Sequence, residues 1–134
     1  MVLCLEISTP EGVVLEAEGE TVSVPTARGE LTILPGHQPL AALVEPGILH
    51  YGMGGGENSL AVDGGFLLIQ GDRIYVMVDQ AVNVIQIDPS EAETARQRAE
   101  HALEEAKKNQ ADRGEIARLE AKIRYQIVKS SAKR

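Results

Sequence analysis

Apolar residues recur at every second position over much of the first two thirds of the chain: Leu3/Leu5/Ile7, Val22/Val24, Leu31/Ile33, Leu60/Val62, Phe66/Leu68 and Ile74/Val76/Val78. Each set belongs on one face of a pleated strand, because successive side chains of a strand point to opposite sides. Turn formers separate the sets, at Thr9–Gly12, Thr26–Gly29, Leu34–Gly36, Glu45–Gly47, Gly52–Gly56, Asp63–Gly65 and Gly71–Asp72. Short β-branched stretches between turns roughly 8–12 residues apart read as antiparallel strands. About nine or ten strands in so short a stretch close most naturally as a sandwich or flattened barrel. Glu6, Glu16, Glu18 and Glu20 then face water.

At Asp88 the period changes. Asp88 at an N-cap, Pro89 at the first helical position and Glu91 three residues after the cap form a helix start. Helical residues continue to about Lys108, with Ala92, Ala95, Ala99, Ala102, Leu103 and Ala106 on one face. Asn109–Asp112 is a break, after which Asp112 and Glu115 repeat the capping pattern. A second helix follows, with Ile116, Leu119, Ile123 and Ile127 as its apolar stripe. Helices joined by so short a turn lie antiparallel. The expectation is an α+β chain: an antiparallel β-sandwich of about ten strands over residues 1–87, then an antiparallel two-helix hairpin over residues 88–134. An alanine stripe offers little apolar area to bury, so the hairpin is expected to be weakly held and able to open or extend.

Composition sharpens this division. With 134 residues, 43% hydrophobic and 25% charged, the chain is globular rather than disordered. Its net charge of −7 disfavours attraction to nucleic acid or anionic lipid. That charge is unevenly placed. Residues 1–87 carry eleven acidic and two basic side chains, whereas residues 88–134 carry nine acidic and eleven basic ones. Glycine and proline concentrate in the first segment, where turns are frequent.

Standard chemistries are missing. Cys4 is alone, so no intrachain disulfide or cysteine metal cluster can form. His37, His50 and His101 do not have metal-ligand spacing. The glycine cluster at 52–56 lacks the Lys-Ser/Thr and following helix of a phosphate loop. No signal-peptide or membrane-span pattern is present, so the expectation is a cytosolic chain that does not insert into a membrane. No catalytic residue, metal site or obligatory cofactor is expected.

Three features rise above background. Gly29-Glu-Leu-Thr-Ile-Leu-Pro-Gly-His-Gln-Pro-Leu40 crowds turn formers and a histidine into twelve residues; pattern alone favours a wide surface loop. From Arg113 to the end, seven basic residues oppose Glu115 and Glu120. That excess is more than the helix dipole needs and suits an acidic protein partner. Finally, Arg96 and Arg98 near the helix start are candidates for a phosphate, although pairing with Glu93, Glu100 and Glu104 is the plainer reading.

The Gly29–Leu40 stretch, then Val62-Asp-Gly-Gly-Phe-Leu67, then the Ile87-Asp88 junction and the alanine-rich hairpin together resemble the epsilon subunits of F-type rotary ATP synthases. The resemblance spans essentially the whole chain. It implies a non-catalytic rotor subunit whose sandwich clamps the gamma subunit to the membrane c-subunit ring. It implies ring contact at Glu30 and gamma contact at His37, Gln38, Pro39 and Leu40, with Leu31 part of the same gamma and ring interface. Pro35, Gly36 and Pro39 would hold such an interface rigid, which displaces the plain-loop reading.

It further implies that the hairpin is a mobile regulatory arm. Its basic stripe, Arg113, Arg118, Lys122, Arg124 and Lys129, would meet an acidic loop of a catalytic beta subunit, among the alpha/beta subunits, and block hydrolytic rotation. The complex would sit peripherally on the cytoplasmic face of a bacterial inner membrane. Some members bind ATP at a junction motif of aliphatic residue, Asp, two variable residues, Arg and Ala. Here Ile87-Asp-Pro-Ser-Glu-Ala92 puts Glu91 where the arginine belongs, reversing the sign of a phosphate contact. Asp88, Ala92, Arg96 and Arg98 remain as candidate nucleotide contacts, with ATP at most a weak regulatory ligand. The alternative function is an ATP-binding sensor whose hairpin is set by nucleotide; a free-standing polyanion-binding adaptor is opposed by the acidic sandwich.

Overall fold

The computed structural model of the chain describes residues 2–53 and 56–132. Gly54 and Gly55 of the expected glycine turn, and Lys133 and Arg134 of the basic terminus, lie outside the described residues. Ten strands come first: β1 Leu3–Thr9, β2 Gly12–Gly19, β3 Thr21–Thr26, β4 Gly29–Ile33, β5 Leu40–Val44, β6 Gly47–Met53, β7 Gly56–Val62, β8 Gly65–Gln70, β9 Arg73–Val78 and β10 Ala81–Asn83. A 3₁₀ turn at Val84–Gln86 leads to α1, Pro89–Lys108, and α2, Arg113–Ala132.

The strands form one hydrogen-bonded path, β10-β7-β6-β3-β5-β8-β9-β1-β2, with β4 paired to β3 at its side. The path folds over at β3–β5, where Thr26 and Val44 are the registered pair, giving the two layers of the sandwich. A backbone bond from Glu20 N–H to the Gly52 carbonyl, 2.8 Å, ties the far end back to β6. One pairing departs from the expected antiparallel pattern. β1 runs parallel to β9, and no spacing of turns could reveal a pair so distant in sequence.

Between the layers lie Leu3, Leu5, Ile7, Val22, Val24, Ile33, Leu49, Leu67, Ile69, Ile74 and Val76, all nearly or wholly without exposure. At about 25 cal/mol per Å² of apolar surface, this layer is the main source of sandwich stability. In β8 the Phe66/Leu68 set points outward, and Leu67 and Ile69 fill the core. Four consecutive apolar residues leave the phase of a strand undetermined. Gly65 has no substitute here, since a Cβ would sit 1.9 Å from the Met77 carbonyl oxygen of β9.

The helical part starts as its caps dictate. Asp88 accepts a bond from Ser90 N–H at 2.9 Å, and Asp112 one from Glu115 N–H at 2.8 Å. The expected alanine stripe is covered unevenly: Ala92 and Ala106 are buried, but Ala102 is exposed. In α2, Ile116, Leu119 and Ile123 are half-buried and Ile127 is 44% exposed. The stripe that seats the arm lies on another side of the helix, at Tyr125, Val128 and Ala132. At 3.6 residues per turn those three share one side, and the Ile116/Leu119/Ile123 side is nearly opposite. Helix α2 thus lies between α1 and the sandwich, packing on β6 and β7.

Candidate functional site

Three regions carry the residues singled out by the sequence. The first is the crowded loop after β4. Glu30 and Leu31 stand at the start of β4, whose hydrogen-bonded neighbour is β3. His37 and Gln38 lie beyond its other end. Gly36 adopts a φ of +85°, a conformation glycine reaches without strain, and its N–H meets Asp72 Oδ1 at 3.4 Å. His37 closes a turn on the Leu34 carbonyl and donates from Nδ1 to the Gln38 carbonyl at 2.7 Å. Leu31 and Leu40 line one concave surface with Thr26, Ala27, Arg28 and Leu43. The loop therefore presents two ends, Glu30 with Leu31 at one and His37 with Gln38 and Pro39 at the other.

Beside this concavity an apolar row crosses the outer face of the second layer. Leu43 registers with Phe66, Phe66 with Met77, Met77 with Ser8, and Ser8 with Val13. Phe66 is 60% exposed, and Leu43, Met77 and Val13 are exposed too. Aligned large apolar side chains on an uncovered sheet face mark an interaction surface. Sequence reading missed it, although Phe66-Leu67-Leu68-Ile69 carries the signal: a strand apolar on both faces has something to cover on each. The opposite layer differs. There Thr32, Ser23, His50 and Ser59 form a polar row, joined by Ser23–Thr32 at 3.1 Å and His50–Ser59 at 2.8 Å.

The second region is the seat of α2. Ile48, Ala61 and Val82 register across β6, β7 and β10, forming an apolar row on the outside of the sheet. Tyr125, Val128 and Ala132 cover it, with Ile87 and Val84 at its margin. Ala61 and Tyr125 are essentially sealed from solvent, and the Tyr125 hydroxyl donates to the Ala61 carbonyl at 3.3 Å. Burial, with the nearby charge of Asp63, pushes the Tyr125 hydroxyl up to about 12, so it remains a donor. The five basic residues of α2 do not form one stripe. Arg118, Lys122 and Lys129 lie along one flank of the Tyr125 stripe, and Arg113 and Arg124 along the other. All but Lys129 are exposed with the arm seated; Lys129 Nζ lies 5.3 Å from the Tyr125 ring centroid.

The third region is the strand-to-helix junction. Asn83 caps the 3₁₀ turn through Ile85 N–H at 3.0 Å. Of the candidate nucleotide contacts, Asp88 is occupied as a helix cap and Ala92 is buried. Arg96 is held in ion pairs with Glu93 and Glu100 on its own helix. Arg98 is exposed. Among the described residues no cluster of side chains has the composition of a metal site, and no helix is long and apolar enough to cross a membrane.

Comparison with known proteins agrees with this architecture. Residues 2–84 match the family described as ATP synthase, Delta/Epsilon chain, beta-sandwich domain. The ATP synthase epsilon chain of Herpetosiphon aurantiacus is 38% identical over 130 residues, covering 96% of both chains. That of Desulforamulus reducens is 44% identical over 99 residues, covering 74% of this chain and 75% of the relative. The fold recurs in a chain of the Euglena gracilis mitochondrial ATP synthase, OSCP/F1/c-ring structure, with a TM-score of 0.77 at 20% identity over 99% of this chain and 82% of that one. The chain belongs to the ATP synthase epsilon-chain family, and is a non-catalytic central-stalk subunit of the F-type ATP synthase.

Proposed function

We propose that the sandwich clamps the gamma subunit to the c ring on the cytoplasmic face of a bacterial membrane, coupling proton transport to ATP synthesis, and that the hairpin is a releasable arm that restrains ATP hydrolysis. The observation that carries the regulatory part is the arrangement on α2. The stripe that seats the arm is flanked on both sides by cations, so release presents an aromatic and aliphatic centre rimmed by positive charge. An acidic surface of the alpha/beta catalytic subunits with an apolar centre is the complement of such a face.

For the clamp, the apolar row Leu43–Phe66–Met77 and the adjoining Leu31/Leu40 concavity are the proposed gamma surface, with His37, Gln38 and Pro39 at its edge. Glu30, at the other end of β4, is the proposed ring contact. The test of the arm is removal of residues 88–134 from the assembled enzyme. ATP hydrolysis is expected to rise severalfold while proton-driven synthesis persists; unchanged hydrolysis would remove the regulatory reading. Because truncation bares the Ile48–Ala61–Val82 row, gamma binding is checked in parallel.

Nucleotide sensing is disfavoured by Glu91 and by the commitment of Arg96 to Glu93 and Glu100. Calorimetric titration of the isolated subunit with ATP is expected to give a Kd weaker than about 1 mM. Micromolar affinity would restore the sensor reading.

A further inference from the structure

Arg28 stands at the tip of the β3–β4 hairpin, and it and Arg73 are the two basic side chains of residues 1–87, against eleven acidic ones. The tip is held in place. Thr26 donates from Oγ1 to the Gly29 carbonyl at 2.6 Å and accepts from Arg28 N–H at 3.3 Å, and Gly29 takes the positive φ, +108°, that closes the turn. Two backbone bonds fasten the hairpin to the β5 segment: Ala27 N–H to the Leu43 carbonyl at 3.2 Å, and Glu45 N–H to the Pro25 carbonyl at 3.1 Å. Arg28 is thereby fixed on the lip of the concavity lined by Leu31, Leu40 and Leu43. Its side chain is exposed and, among the described residues, forms no ion pair. Glu30, two residues on, registers with Pro25 and belongs to the opposite face of β4 from Leu31. One short hairpin thus offers an anion on one side and a cation beside the concavity on the other.

The concavity runs into the apolar row, since Leu43 lines the one and registers with Phe66 in the other. An occupant that covers both is an extended protein surface with an aliphatic or aromatic anchor for the concavity. Burying that anchor draws water from around Arg28, and a guanidinium so placed is best met by a carboxylate, which accepts two parallel N–H bonds from it. The geometry points to a charged register pin in the clamp: an apolar anchor of gamma enters the Leu31/Leu40/Leu43 concavity, and a gamma Asp or Glu beside that anchor pairs with Arg28. This rests on the Leu43–Phe66–Met77 row being the gamma surface, and adds to it the chemistry of the segment that docks there. Apolar contacts alone leave the register of docking loose. Displaced from Arg28, the gamma carboxylate would meet a surface whose other charges are mostly acidic, and like charges brought together oppose binding.

Binding of the full-length chain to an alpha/beta/gamma assembly lacking it tests the pin. Arg28→Gln is expected to raise Kd about fivefold and Arg28→Glu at least about thirtyfold. Both variants should melt within a few degrees of wild type, because the side chain is exposed. The gap between wild type and Arg28→Gln should narrow as salt rises from roughly 0.05 to 0.5 M, which a loss of packing would not produce. Replacing the surface Asp and Glu residues of gamma singly by Lys should find one position that weakens wild type and restores Arg28→Glu. Wild-type affinity in Arg28→Glu, or a scan in which no position restores it, overturns the pin. Phe66→Glu separates the pin from the gamma surface itself. If Phe66→Glu weakens binding and Arg28→Glu does not, the surface stands and the pin falls; if neither does, both fall. Sedimentation of the chain alone covers the remaining occupant: a dimer broken by Arg28→Glu would give the groove to a second copy and overturn the assignment to gamma.

Discussion

Replacing Tyr125 by alanine is expected to unseat α2 while leaving the sandwich folded. Truncating a fully buried aromatic side chain costs about 3–5 kcal/mol, and Tyr125 is 1% exposed. Part of that burial comes from the helix itself, so the loss at the seat is about 3 kcal/mol, or roughly two orders of magnitude in the docked-to-released ratio. Hydrogen exchange should show α2 amides losing protection while those of β1, β8 and β9 keep theirs. Tyr125→Phe removes the 3.3 Å hydroxyl contact alone, at about 1 kcal/mol. If Tyr125→Ala leaves α2 protection intact, the seat described here is not what holds the arm.

The second large effect concerns the clamp. Phe66→Glu should weaken gamma binding by about 2–4 kcal/mol, at least thirtyfold in Kd, as expected for an aromatic anchor at the centre of an interface. The side chain projects from the outer face of β8, so the substitution leaves the core untouched and the isolated subunit should melt within a few degrees of wild type. Ser23→Glu, on the polar outer row of the other layer, is the control and should bind gamma normally. Equal binding by Phe66→Glu and wild type would move the gamma surface elsewhere.

These two residues show where sequence reading stopped. The strand count, the helix starts at Asp88 and Asp112 and the inward sets of β1, β3 and β9 follow from period and capping chemistry, which are local. Tyr125 was passed over because a helix packed on two sides has two apolar stripes, and the more aliphatic one, Ile116/Leu119/Ile123, hid the one that meets the sandwich. Ala61 is invisible for a similar reason. In Leu60-Ala61-Val62 both faces of the strand are apolar, and period two cannot tell the inner face from a covered outer one. The basic residues read as one stripe because they were counted along the chain; winding them at 3.6 residues per turn separates them into two flanks.

The parallel pairing of β1 with β9 sets an order of events during synthesis. Strand β1 cannot find this partner until residues 73–78 have been made, and pairings of such long sequence separation form slowly. Until then β1 has only β2 beside it. Every strand of the sandwich nevertheless precedes α2 in the chain. The arm meets a finished surface, so its attachment can be undone and remade many times without reopening the sheet that bears it.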